Sequence, residues 1–89
     1  MTDTLEELIT RLKGQIVECL NIDSSIAETI DPDTPLFGPH TGLDSIDALE
    51  LVVWLDKNYG IKITDSKVAR KIFANIRTLA VFVQQQGKA

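Results

Sequence analysis

All three prolines of this 89-residue chain lie within eight residues, at positions 32, 35 and 39. Proline lacks a backbone N–H and its ring clashes with the preceding turn, so no regular helix can run through this stretch. The flanking sequence, by contrast, has the apolar spacing of helices on both sides. The chain is therefore predicted to contain a long connection, residues 21–43, between two helices. An internal loop of more than about 12–15 residues is uncommon in a compact domain and is usually functional.

This connection is not purely polar. Five large apolar side chains are spread along it, so it is predicted to be held against the rest of the fold, and residues 24–29 could form a short helical turn. These five side chains are Ile22, Ile26, Ile30, Leu36 and Phe37.

Four segments carry the spacing of amphipathic helices, in which apolar residues recur at steps of three and four. Thr4 and Glu7 have capping-box spacing at the first start, and Asn21 and Gly60 are suitable stops. The predicted helices run from Thr4 to Leu20, from Asp44 or Ser45 to about Asn58, across residues 66–73, and from a cap at Asn75. The predicted fold is all-α: an irregular four-helix bundle of three main helices and one short helix, with a long loop between helices 1 and 2. The length allows one domain, 1–89, with a core of about 4–86.

The charge distribution restricts the classes of partner. Residues 1–44 hold nine acids and two bases, whereas residues 61–89 hold one acid and six bases, and the net charge is −4. A net negative chain is a poor ligand for nucleic acid, so none is expected as a partner. No apolar run is long enough to insert in a membrane. A single cysteine and the absence of a signal-peptide pattern favour a cytoplasmic monomer.

Ser45 is the residue of greatest chemical interest. It follows the long loop and stands at a predicted helix start, where a hydroxyl is held by a rigid element and remains exposed. Position alone favours the simpler interpretation of a helix N-cap, and Asp44 could serve as the cap instead. His40 does not make Ser45 a hydrolase nucleophile, because no nucleophile elbow or oxyanion loop surrounds them. One histidine and one cysteine also do not predict a metal site.

Residues 42–56 read Gly-Leu-Asp-Ser-Ile-Asp-Ala-Leu-Glu-Leu-Val-Val-Trp-Leu-Asp, and this segment resembles the acyl carrier protein family. The likeness rests on Asp-Ser-Ile-Asp, which is similar to the family's Asp-Ser-Leu motif, followed by Glu-Leu-Val in helical register. It extends to residues 30–37 before the motif and to residues 73–83 after it. The resemblance implies a carrier rather than an enzyme, with a covalent 4′-phosphopantetheine arm on Ser45.

The resemblance also implies a function and partners. The chain would carry acyl intermediates as thioesters in fatty-acid, polyketide or related lipid synthesis. Its partners would be a phosphopantetheinyl transferase and acyl-processing enzymes such as ketosynthases or acyltransferases. A peptidyl or aminoacyl carrier, or a helical interaction module without an arm, remains the alternative. The implied partner-binding residues of the second helix are Asp44, Ile46, Asp47, Leu49, Glu50, Val53 and Asp56.

Several residues keep two interpretations. Leu49 suits the core or a partner contact, and Trp54, unusual for the family, is predicted to be partly exposed. Cys19 is predicted to be a core or boundary thiol rather than a reactive one. The third helix is basic, with Lys67, Arg70 and Lys71, which differs from fatty-acid carriers and makes a dedicated secondary pathway an equal possibility.

Overall fold

The computed structural model describes residues 4–39 and 41–86, apart from the side chain of Ser66. Within these ranges it contains helices and no strand, which confirms the predicted all-α bundle. The predicted short turn after the first helix is a helix of one turn, so the described residues contain five helices. They are α1 (Leu5–Leu20), α2 (Ser24–Ala27), α3 (Ser45–Tyr59), α4 (Ser66–Ile72) and α5 (Ile76–Gln85). His40 lies outside the described residues.

The helix ends lie where polar side chains and special backbone conformations allow them. Thr4 accepts a hydrogen bond from the Glu7 N–H at 3.2 Å, and Asn21 ends α1 in the left-handed conformation with φ of 53°. Gly60 ends α3 in the same conformation, with φ of 67°. This conformation is costly for most L-residues, and asparagine and glycine tolerate it best. The predicted Thr4 cap is confirmed, although only the Thr4 half of the capping box forms, and so are both stops and the Asn75 cap of α5. Of the two possible caps of α4, Thr64 and Asp65, the structure has Asp65.

The core forms where α1 packs against α5 and α3, and where α4 contacts both α3 and α5. Full burial of a large aliphatic or aromatic side chain contributes about 1.5–3 kcal/mol, so a core of this kind is the main stabilising feature. The largest fully buried side chains are Leu8, Leu12, Ile16, Ile30, Leu36, Leu51, Leu55, Phe73, Ile76, Leu79 and Val83.

Residues 32–36, in the middle of the long loop, are attached to the junction between α4 and α5. Leu36 is fully buried, and its N–H donates to the Ala74 carbonyl at 3.0 Å. The Arg77 N–H donates to the Pro32 carbonyl at 3.0 Å, and the Arg77 guanidinium meets Asp33 at 2.7 Å. The hydrogen bond and charge of Asp33 raise the pKa of Arg77 above its ordinary value. The prediction that apolar residues hold this loop against the bundle is confirmed.

The second half of the loop is organised around a buried hydroxyl. Thr41 is 7% exposed, and its Oγ1 donates to the Leu36 carbonyl at 2.6 Å and accepts from the Leu43 N–H at 3.3 Å. Gly38 and Gly42 have φ of 137° and 74°, positive values that favour glycine because it has no Cβ. These contacts fix the path of the chain immediately before α3.

None of the helices in the described ranges is long and apolar enough to cross a bilayer.

Candidate functional site

Asp44, not Ser45, is the N-cap of α3. Its Oδ1 accepts from the N–H groups of Ile46 and Asp47, at 2.9 and 3.4 Å. The Asp47 Oδ2 in turn accepts from the Asp44 N–H at 2.9 Å, which completes a reciprocal capping box. The sequence left the choice between Asp44 and Ser45 open. Because Asp44 performs the capping, the hydroxyl of Ser45 is not needed to hold the helix.

Ser45 is the first residue of α3 and is exposed. Neither its hydroxyl nor its backbone N–H is hydrogen-bonded to another residue that the structure describes. The first N–H groups of a helix have no intrahelical partner and carry a partial positive charge. The site therefore presents a free hydroxyl beside a free N–H, at a place where an anion is favoured.

A partly open groove of about 650 Å³ extends from Ser45 between the loop, α3 and α4. Its volume lies within the range of roughly 300–1,000 Å³ that is typical of small-molecule sites. We call it the Ser45 groove. Its apolar lining is Phe37, Ala48, Leu49, Val52, Ile63, Ala69 and Ala74, and its polar lining is Asp44, Ser45, Thr64, Asp65 and Arg70.

An exposed apolar row runs along α3. Ile46, Leu49 and Val53 are 69%, 66% and 52% exposed. Residues three and four apart lie on one face of a helix, so the three side chains form one stripe. The opposite face of α3 is buried through Leu51 and Leu55. Leu49 is therefore a surface residue, and the interpretation as a core residue is wrong.

The four acids of the predicted partner face differ in their surroundings. Asp44 and Asp47 are committed to the capping box. Glu50 and Asp56 are exposed, and neither makes a hydrogen bond or ion pair with another described residue. The structure thus brings the seven predicted partner-binding residues together on α3 and its cap. Two of the acids stabilise the helix, and two are available to other molecules.

A second groove, of about 490 Å³, lies between the end of α1 and the exposed row of α3. We call it the Trp54 groove. Trp54 is half-buried and meets Tyr59 edge-on, with ring centroids 5.7 Å apart and planes at 68°. The predicted partial exposure of Trp54 is confirmed. The groove is lined by Cys19, Ile46, Leu49, Glu50, Val53, Trp54, Lys57 and Asn58.

Cys19 is a boundary thiol, as predicted. It is half-buried, and burial raises its pKa, as does the nearby negative charge of Glu50. A raised pKa leaves less thiolate at neutral pH, so the thiol is a poor nucleophile. No group of three or more His, Cys, Asp or Glu side chains among the described residues could hold a metal ion.

Two features of the site were not predicted from the sequence. Thr41, which organises the loop, looks like any polar loop residue in the sequence. Arg70 was identified only as part of a basic helix, but it lines the groove that contains Ser45. Regular spacing along α4 places Arg70 on a helix face, but only the packing of α4 against α3 shows that this face borders the groove.

The chain matches known proteins over most of its length. Residues 10–83 match the family model described as a phosphopantetheine attachment site. The chain is 34% identical over 73 residues to a protein named acyl carrier protein from Onion yellows phytoplasma (strain OY-M), an alignment that covers 82% of this chain and 88% of the relative. No solved structure is significantly similar to this chain.

These likenesses agree with the helical fold. The matched family model describes a site to which phosphopantetheine is attached. Phosphopantetheine is therefore the cofactor of this chain. Acyl carrier proteins are not enzymes; they work with acyl-processing enzymes. The family match spans all of α2, α3 and α4 and most of α1 and α5. This chain belongs to the acyl carrier protein family.

Proposed function

We propose that this chain carries acyl groups as thioesters on a 4′-phosphopantetheine arm bound to the hydroxyl of Ser45. The observation that carries the proposal is the free, exposed hydroxyl of Ser45 at the start of α3, at the edge of an apolar groove. A rigid helix start presents the hydroxyl to an outside enzyme. The loop before it is fixed by its own hydrogen bonds, so the position of the hydroxyl is defined.

The other serines are less suitable attachment points. The Ser25 hydroxyl donates to the Asp23 carboxylate at 2.9 Å, and this bond would be lost on modification. Ser24 begins the one-turn helix α2, which is only four residues long. Ser66 starts another short helix, α4, of seven residues. Ser45 combines a long helix, an unbonded hydroxyl and an adjacent groove.

The residues around Ser45 fit a phosphodiester. The free Ser45 N–H can donate to a phosphate oxygen, and the positive end of α3 favours the anion by about 0.3–1 kcal/mol at an exposed site. When bound, the arm supplies the thiol that holds the acyl group. The protein contributes the anchoring hydroxyl, the orientation of the attachment point and the surface that partners recognise.

We propose that partner enzymes dock on the face of α3 defined by Asp44, Ile46, Asp47, Leu49, Glu50, Val53 and Asp56. Exposed large apolar side chains that share one face are typical of interaction sites. Acids beside them favour a basic partner surface, which steers association and aligns the complex. The proposed partners are the phosphopantetheinyl transferase that attaches the arm, and ketosynthases or acyltransferases that use the cargo.

The proposed pathway is fatty-acid, polyketide or related lipid synthesis. The basic α4 supports a dedicated carrier, because Lys67, Arg70 and Lys71 are exposed and would repel a basic partner surface that approached from that side. The proposed form is a monomer in a reducing compartment, the cytoplasm. Loading assays with acyl and aminoacyl donors would distinguish an acyl carrier from a peptidyl or aminoacyl carrier.

The proposal is tested by covalent labelling. The apo protein is incubated with coenzyme A, Mg²⁺ and a broad-specificity phosphopantetheinyl transferase, and its intact mass is measured. The Ser45 oxygen should bond to the phosphorus of the arm, its proton should be lost, and adenosine 3′,5′-bisphosphate should leave. The expected result is a mass increase of one phosphopantetheine group.

Two variants control this experiment. Ser45→Ala should abolish the mass increase while the helical circular dichroism signal is retained, and Ser25→Ala should be labelled as the wild type is. An increase that persists in Ser45→Ala would show a different attachment residue. No increase in the wild type would favour an interaction module without an arm.

A further inference from the structure

Arg70 lies in the wall of the Ser45 groove. It belongs to α4, which is held against the bundle by the buried Ala69 and Ile72. The Arg70 side chain is exposed and makes no hydrogen bond or ion pair with another described residue. The groove that begins at Ser45 therefore contains a cation. No acid in the described part of the chain pairs with it.

The two acids of the same groove do not neutralise Arg70. Asp44 caps α3, and its Oδ1 already accepts from the Ile46 N–H at 2.9 Å. Asp65 caps α4, and its Oδ1 accepts from the Lys67 N–H at 2.8 Å. Both carboxylates are therefore oriented by helix ends, and neither forms an ion pair with Arg70. Among the charged side chains of the groove, the Arg70 guanidinium is therefore the one left to bind an anion, in addition to the free N–H of Ser45.

The surroundings of Arg70 suit an anion on a partly apolar ligand. Most of the groove is lined by carbon, including Phe37, Val52 and Ile63. An acyl chain on these apolar walls would lie in the same groove as the exposed Arg70 guanidinium, which is free to bind an anionic group at its end. A guanidinium presents five donors in a plane that matches the two oxygens of a carboxylate or phosphate. The groove therefore combines an apolar surface for an acyl chain with one cationic donor.

We propose that Arg70 is an anion-binding residue of the Ser45 groove, where its guanidinium binds an anionic oxygen group of the tethered arm or of its cargo. This inference rests on the proposed function, because the arm must first be attached at Ser45. The anionic group has two possible sources: the phosphodiester at Ser45, or a carboxylate on a carboxylated acyl cargo. The same chemistry at Arg70 serves either source.

Two lysines on the same helix provide matched controls. Lys67 and Lys71 are exposed and carry the same charge as Arg70, but they do not line the groove. Arg70→Gln and Lys71→Gln therefore remove one positive charge each from α4. A general electrostatic effect would be the same in both variants, whereas a contact within the groove would be lost only in Arg70→Gln.

The experiment uses the holo forms of the wild type, Arg70→Gln and Lys71→Gln, each loaded with acetyl or with ¹³C-labelled malonyl. The ³¹P chemical shift of the arm reports on the phosphodiester, and ¹³C titration gives the pKa of the malonyl carboxyl. If Arg70 binds the phosphodiester, the ³¹P shift changes in Arg70→Gln and not in Lys71→Gln, with either cargo. If Arg70 binds the cargo, the carboxyl pKa rises only in Arg70→Gln, by roughly half a unit to one unit.

The outcomes separate this inference from the proposed function. If the arm attaches at Ser45 but the two variants give the same ³¹P shift and the same carboxyl pKa, the role of Arg70 is wrong and the carrier function stands. If no arm attaches to the wild type, both proposals fail. Circular dichroism of both variants checks that the total helical content is unchanged, so a difference between them reports on the contact.

Discussion

Thr41 shows how a single hydroxyl can organise the approach to the proposed attachment site. It is buried, and it joins the Leu36 carbonyl and the Leu43 N–H, which lie on either side of the glycine-containing turn. Buried polar groups are stable only when they are hydrogen-bonded, so the three groups depend on one another. The position of Ser45, four residues later, follows from this contact and from the Asp44 cap.

Thr41→Val should therefore destabilise the fold, although the side chain keeps its shape. It removes the hydroxyl and leaves the Leu36 carbonyl and the Leu43 N–H without their partner, which costs about 1–3 kcal/mol. Urea unfolding measures the change. Thr10→Val is the matched control, because the Thr10 hydroxyl donates to the Glu6 carbonyl on an exposed helix face. Its change should stay within about 0.5 kcal/mol. Equal losses in the two variants would contradict the role given to Thr41.

At the scale of single residues, the sequence predicted the ends of helices well and the burial of individual side chains less well. The caps at Asn21 and Gly60 depend on their own backbone preferences, and the sequence predicts them correctly. Leu49 was ambiguous because apolar residues occur on more than one side of α3. Thr41 was missed because its burial depends on residues that are close only in the folded chain.

At the scale of the helix, α3 has two apolar faces. Leu51 and Leu55 are buried by the neighbouring helices, whereas Ile46, Leu49 and Val53 are left exposed. Periodicity detects both faces, but it cannot tell which one is covered, because that depends on how α1 and α4 pack. The exposed row costs free energy in water, so it is expected to be covered in complexes.

The acidic residues beside this row lead to a testable prediction. Glu50→Lys should slow phosphopantetheine transfer several-fold at low salt, because it reverses a charge beside the proposed docking row. Raising the salt concentration should shrink the difference, since exposed charges are screened over about 10 Å at 0.1 M. The measurement is kcat/KM of the transferase at several salt concentrations. Asp47→Lys is a poorer test, because Asp47 also accepts the Asp44 N–H in the capping box.

Glu28→Lys is the control for this prediction. Glu28 is exposed and is the C-cap of α2. The substitution Glu28→Lys therefore makes the same charge change as Glu50→Lys, but outside α3. The rate of phosphopantetheine transfer to Glu28→Lys should stay close to that of the wild type. If both variants slow the transfer equally, or if the loss in Glu50→Lys does not depend on salt, docking on the acidic face of α3 is wrong.

At the scale of the whole molecule, the long loop is part of the bundle. The contact of Asp33 with Arg77 joins residues 44 positions apart, and Leu36 reaches the junction between α4 and α5. The sequence predicted that apolar loop residues would pack inward, and this was correct. It could not predict what they would pack against, because such contacts carry no local pattern.

Two substitutions test what holds the loop in place. Leu36→Ala should lower the free energy of unfolding by about 2–5 kcal/mol, because it leaves a cavity at a fully buried position. Arg77→Gln should cost far less than Leu36→Ala, because its ion pair with Asp33 is exposed to solvent and surface ion pairs contribute little to stability. Urea unfolding of both variants gives the comparison. A larger loss in Arg77→Gln would show that the ion pair, and not the apolar anchor, holds the loop.

Trp54 has a practical consequence. It is the only tryptophan in the chain, and it is half-buried beside the exposed row of α3. Indole emission changes with the polarity around the ring, so the fluorescence of this protein comes from one known place next to the proposed docking face. A partner without tryptophan that covers the row would alter that emission, and the complex could be followed in real time with no attached dye.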